Sequence, residues 1–171
     1  KTVEERLLKK IGYEVVSVFT GDGSFDAMTH AHTANLNLVQ CHRSINYIAE
    51  MMKTKYNIDW LKVNFVGIDE TIRTLREIAD YFDDDGLKQR TEEVIAEELA
   101  DIAEEREFYR SKLTGKTAGI FVGGSRAHHY QHLLSDFGVK TVIAGYEFAH
   151  RDDYEGREVI PDIKLDADSK N

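Results

Sequence analysis

The only cysteine of the chain, Cys41, is followed by an arginine at Arg43 and a serine at Ser44. The stretch around it runs Asn35-Leu36-Asn37-Leu38-Val39-Gln40-Cys41-His42-Arg43-Ser44-Ile45-Asn46-Tyr47-Ile48. Before the cysteine, polar and apolar residues alternate, the period of a strand. After it, Ile45, Ile48, Ala49 and Met52 recur on one face, the period of a helix. Cys41 is therefore expected where a strand hands over to a helix, the place where α/β sheets bind ligands. A helix N-terminus and a nearby guanidinium both lower a thiol's pKa, and the thiolate is the form that ligates metal. The plain alternative is a buried small hydrophobe, the commoner fate of a lone cysteine.

Three other clusters carry potential chemistry. Gly123-Gly124-Ser125-Arg126 follows an expected strand and opens an expected helix. Glycines there let backbone N–H groups approach an anion, and the helix dipole assists. The pattern is not the dinucleotide fingerprint, and an ordinary strand-to-helix turn explains it equally well. His128, His129 and His132 form the second cluster. His128 and His132 share a helix face at a spacing that can chelate a metal, but no acidic residue accompanies them, and a partly exposed structural set is the simpler reading. His30 and His32 carry a weaker signal of the same kind. The third cluster, Tyr146-Glu147-Phe148-Ala149-His150-Arg151-Asp152-Asp153-Tyr154, stands at the C-terminal end of an expected strand, as a site element or a solvated loop.

The elements that must position these groups follow from pattern. Helices are expected over residues 3–11, closed by Gly12, and over a short stretch capped by Ser24, then to about Tyr56 after the cysteine. Asp69 can cap a helix whose Ile72, Leu75, Ile78, Ala79 and Phe82 recur at helical spacing, ended by Asp83-Asp84-Asp85-Gly86. One long charged helix is expected from Leu87 to Leu113, its acid-rich run from Glu92 to Glu107 read as a solvated face. Strands are expected at 14–20, 36–39, 60–67, 117–122, 140–146 and 163–165. Alternating strands and helices give an α/β fold, Rossmann-like parallel sheets covered by helices. Residues 1–114 form one half, with the long helix as connector, and residues 115–171 begin a second.

Composition narrows the function classes. The 171 residues are 42% hydrophobic and 31% charged, with a formal net charge of −9. That disfavours a nucleic-acid partner, because phosphate binding needs a basic face. One cysteine allows neither an internal disulfide nor a cysteine-rich zinc site. No apolar run approaches the roughly 20 residues of a membrane span, and no secretory signal opens the sequence, so a cytoplasmic location is expected. Lys1 is not a methionine and the last residues close no element. A segment of a longer subunit is expected.

The run from Leu38 to Ile48 resembles the cofactor-cysteine segment of the α chain of nitrogenase component 1, the molybdenum–iron protein. Gly21-Asp22-Gly23-Ser24 ahead of it, Gly123-Gly124-Ser125-Arg126, and Gly145-Tyr146-Glu147-Phe148-Ala149-His150 with Asp152-Asp153-Tyr154 resemble the same family in the same order. The resemblance covers nearly the whole chain. It implies that Cys41 is the single thiolate on the terminal iron of the iron–molybdenum cofactor, an Fe–S–Mo cluster with homocitrate. It implies that Arg43 and Arg126 aim guanidinium donors at cluster sulfides, and that Gly123 and Gly124 bring N–H groups there. Ser44 and Tyr47 would support the cysteine, and Glu147 and Phe148 would line the pocket wall. The implied partners are a β subunit in an α2β2 heterotetramer and the ATP-hydrolysing iron protein, and the implied reaction is reduction of dinitrogen to ammonia.

His42 stands where the family often has Tyr, and His128 where a second Arg is expected, so a divergent branch is implied. The family's histidine ligand to molybdenum would lie beyond Asn171, and the cysteines of its second cluster before Lys1. The segment alone is therefore expected to be inactive and without a stable cofactor. The alternatives are the scaffold on which the cofactor is assembled, disfavoured by the Arg43-Ser44 pair; a vanadium or iron-only nitrogenase, disfavoured by Tyr-Glu-Phe-Ala-His; and an unrelated Rossmann-like ligand-binding domain.

Overall fold

The computed structural model describes residues 2–21, 23–40, 46–147 and 165–166, with the backbone alone at 123–128, 145–147 and 165–166. The chain opens with α1, Val3–Ile11. Its ends follow helix electrostatics: Thr2 accepts the N–H of Glu5, Glu4 and Glu5 sit in the first turn, and Lys9 and Lys10 in the last. Gly12 closes it at φ +117°, a conformation that favours glycine. Residues 14–20, expected as a strand, form no ladder among the described residues. Alternation alone does not make a strand without a partner to pair with; here Tyr13 and Val15 pack on the core. The chain then turns back so tightly that a Cβ on Gly23 would lie 2.2 Å from the Val18 carbonyl oxygen.

Ser24 caps α2, Phe25–Thr29, by accepting the Ala27 N–H at 3.1 Å. Next come β1, Leu36–Val39, α3, Asn46–Tyr56, and β2, Asp59–Lys62. β1 and β2 pair in parallel, Leu36 opposite Asp59. β2 ends earlier than the apolar run suggested. Asn64 gives its backbone to Thr74, whose Oγ1 accepts the Asn64 N–H at 3.0 Å and donates to its carbonyl at 2.8 Å. Thr74 lies in α4, Ile68–Phe82, which starts before Asp69, so Asp69 and Glu70 occupy its first turn.

The expected long helix is two, α5, Asp85–Asp101, and α6, Ala103–Leu113. The break falls at Ile102, φ −97° and ψ 0°. The buried stripe of α5 (Thr91, Val94, Ile95) has ended by then, and α6 buries no residue, so packing no longer holds one axis. The acid-rich run is not merely solvated: Glu92 pairs with Arg76, Glu93 and Glu97 with Arg90, and Glu98 with Arg6 and Lys10.

β3, Thr117–Gly123, α7, Gly124–Asp136, and β4, Lys140–Glu147, form a second βαβ unit. β5, Leu165–Asp166, continues the parallel sheet in the order β3-β4-β5. All described strand pairs are parallel, the α/β architecture the alternation of elements predicts. The chain divides into two compact units, Lys1–Phe65 with Thr71–Leu99, and Val66–Glu70 with Ala100–Asn171. The first is built on Leu7, Leu8, Ile11, Val63, Leu75, Ile78, Val94 and Ile95. In the second, Ile120 and Ala144 are buried while Phe121 is 74% exposed. A Cβ on Gly119 would lie 2.9 Å from Ile143 and 3.5 Å from the Phe121 ring, so these side chains crowd one face of the sheet.

Candidate functional site

The cysteine segment falls between two elements of the expected type. β1 ends at Val39 and α3 begins at Asn46. Cys41, Arg43 and Ser44 lie outside the described residues. Tyr47 stands in the first turn of α3 with its side chain 73% exposed. Val39 and Ala49, on either side of the connection, are buried and anchor its two ends.

In the second unit, Gly123 is the last residue of β3 and Gly124 the first of α7. Strand and helix therefore meet with no intervening loop residue. The first N–H groups of a helix have no acceptor within it, and the macrodipole adds positive potential there. The helix start at Gly124 thus supplies backbone donors at the C-terminal end of a parallel strand, a geometry that suits an anionic group. Arg126 belongs to this first turn by its backbone. Across the sheet, Gly123 pairs in register with Glu147 and Val122 with Tyr146. The structure therefore brings the Gly-Gly turn and the Glu147 backbone to one strand edge. Phe148, and the rest of the cluster to Tyr154, lie outside the described residues.

His129 and His132 both lie on α7. His30 and His32 bind backbone carbonyls of their own turn, His30 to Asp26 at 3.0 Å and His32 to Thr29 at 2.9 Å. His129 Nδ1 lies 3.9 Å from Glu70 Oε2, with both side chains more than four-fifths covered. Among the described residues no three His, Cys, Asp or Glu side chains converge as a metal site. Glu70 had no signal in the sequence, because its pairing joins residues 59 positions apart. Burial, and then the neighbouring Asp69, push the Asp136 carboxyl above its usual range, while Arg106, His132 and Arg110 oppose the shift. Among the described residues no helix is long and apolar enough to cross a membrane.

A family model described as nitrogenase component 1 type oxidoreductase matches residues 3–170. The chain is 60% identical over 167 residues to the nitrogenase molybdenum-iron protein alpha chain of Clostridium pasteurianum, covering 98% of this chain and 31% of that one. It is 39% identical over 154 residues to the nitrogenase iron-molybdenum cofactor biosynthesis protein NifE of the same organism, covering 90% of this chain and 34% of that one. The solved structure of nitrogenase Cp1 at pH 6.5 matches with a TM-score of 0.84 at 60% identity, over 98% of this chain and 32% of that one. The chain thus spans about a third of the length of the relatives it matches.

Proposed function

Because the chain belongs to the nitrogenase component 1 type oxidoreductases, we propose that it is part of the α subunit of a molybdenum–iron protein and helps to hold an iron–molybdenum cofactor. Cys41 supplies the one thiolate, on the terminal iron. Ser44 and Tyr47 orient that segment. The N–H groups of Gly123 and Gly124 and the guanidinium groups of Arg43 and Arg126 donate to sulfides, neutralising charge and tuning potential. Glu147 and Phe148 close the wall beside them. The cysteine lies in a first Rossmann-like half, residues 1–114, and the Gly-Gly turn in a second, residues 115–171. When bound, the cluster supplies the multi-electron reduction of dinitrogen to ammonia, with protons also reduced. The partners are a β subunit in an α2β2 assembly and the ATP-hydrolysing iron protein.

The observation that supports this reading most is the junction of β3 and α7 at Gly123 and Gly124, an anion-binding edge in the motif that resembles the family. Cys41→Ala in the cofactor-loaded protein that carries this chain tests it. Molybdenum and iron of the cofactor should fall well below stoichiometric. A Cys41→Ala protein that keeps its full complement would overturn the assignment.

A second reading, the cofactor-assembly scaffold, draws on the 39% identity to NifE. Arg43 and Ser44 favour the enzyme. Acetylene reduction by the full complex with its iron protein separates the two: turnover marks the enzyme, and cluster transfer without turnover marks the scaffold.

A further inference from the structure

Two glycines at the head of α7 leave its backbone conformationally free where precision is needed. The orientation of the helix must then be fixed farther along. His129, Leu133 and Asp136 recur on one face of α7 at intervals of four and three residues. The start of α4 lies along that face. A Cβ on Gly67, at φ +91°, would stand 3.7 Å from the Leu133 Cβ. Three residues later, Glu70 Oε2 is 3.9 Å from His129 Nδ1. That separation is too long for a hydrogen bond and within reach of a charge attraction to a protonated imidazole. Cover over both side chains limits screening. Around the Asp136 carboxyl stand Asp69 on α4, His132 on α7, and Arg106 and Arg110 on α6.

We propose that Glu70 is a positioning residue: through His129 it fixes α7, and with it the Gly123-Gly124-Ser125-Arg126 turn, against the anionic ligand at the end of β3. His129 follows Arg126 by three residues, one helical turn. An attraction there sets the direction of the N–H groups ahead of it. Donors to a bound anion act only within a narrow range of distance, so a small rotation of the helix weakens them all together. This role for Glu70 rests on the reading that the turn faces the cluster.

The test is a double-mutant cycle, Glu70→Gln and His129→Gln, in the cofactor-loaded protein. Its readouts are metal content, thermal midpoint, and the electron paramagnetic resonance line shape of the resting cluster. Wild type and Cys41→Ala run alongside. If Cys41→Ala keeps the cluster, the functional reading itself has failed; if it does not, the cycle judges Glu70 alone. Each single variant should keep its metal and midpoint, shift the resonance, and lower kcat by roughly three- to tenfold, short of the ~100-fold of a full-ångström misplacement. The double variant should be no worse than either single one, and His129→Lys should restore the wild-type line shape. Should His129→Gln fold poorly, the isosteric Glu70→Gln decides the matter by itself. An unchanged line shape in Glu70→Gln, or effects that simply add, would overturn the proposal.

Discussion

Thr74 is fully buried and returns both backbone groups of Asn64 to hydrogen bonding, at 3.0 and 2.8 Å. Asn64 is itself buried. Thr74→Val keeps the shape and removes the hydroxyl, leaving an N–H and a carbonyl without that partner. The expected loss is about 2–4 kcal/mol of unfolding free energy at unchanged denaturant dependence. Thr74→Ser, which keeps the oxygen, should lose far less. Equal stability of Thr74→Val and wild type in urea titrations would mean that this contact does not account for the early end of β2. The same contact marks a limit of sequence reading. The apolar run from Trp60 to Gly67 is a genuine strand signal, but nothing local tells that a threonine ten residues on will take over from the ladder. Glu70 and His129 are hidden in the same way, whereas Ser24 and Gly12, whose partners lie within a few residues, are legible as caps.

Between elements, α1 and α5 are clamped by charge. Arg6 donates to both Glu98 oxygens at 2.6 and 2.7 Å, and Lys10 to Oε1 at 2.8 Å. Foremost through Arg6, and then Lys10, the Glu98 carboxyl is held down to about 2 from its ordinary 4.5. The same partnership raises the Lys10 ammonium. The folded pKa is depressed, so the unfolded chain takes up the proton first. The stabilisation is complete above about pH 4.5 and is lost as pH falls toward 2. Glu98→Gln should therefore be less stable than wild type near neutrality, with the difference shrinking through that window. Urea titrations of both proteins from pH 7 to pH 2 measure it, and a pH-independent difference would contradict the clamp. Here too the sequence shows the helices and their acid-rich run but not the pairing, because the partners lie 92 and 88 residues apart. It shows the strand–helix–strand order and the Gly-Gly junction of β3 with α7, since these are local. It misses the break at Ile102, where helical propensity continues but the buried stripe does not. The cysteine segment is legible through its motif alone, and Cys41, Arg43 and Ser44 lie outside the described residues.

On the scale of the whole molecule, the cysteine connection belongs to the first compact unit and the Gly-Gly turn to the second. The relatives are about three times longer than this chain, and the chain has one cysteine. In the proposed reading this chain supplies a single thiolate with a few N–H and guanidinium donors, fewer than a complete metal site needs. A metal site forms stably when its ligand count and supporting donors are complete, and binding then contributes to folding. Among the described residues of the second unit, Phe121 is 74% and Ile143 41% exposed, apolar surface of the kind that marks contact with other protein. Residues 1–171 produced as an isolated polypeptide should therefore carry less than stoichiometric iron and sulfide and catalyse no acetylene reduction. The same material should bind a hydrophobic dye, and Phe121→Ser should reduce that binding without changing the unfolding of the first unit. Metal analysis after anaerobic reconstitution with cofactor is the deciding measurement. Stoichiometric iron and sulfide on the isolated chain would mean that Cys41 and the β3–α7 edge form a sufficient cradle, and that the rest of the longer relatives serves partners and electron delivery rather than retention of the cluster.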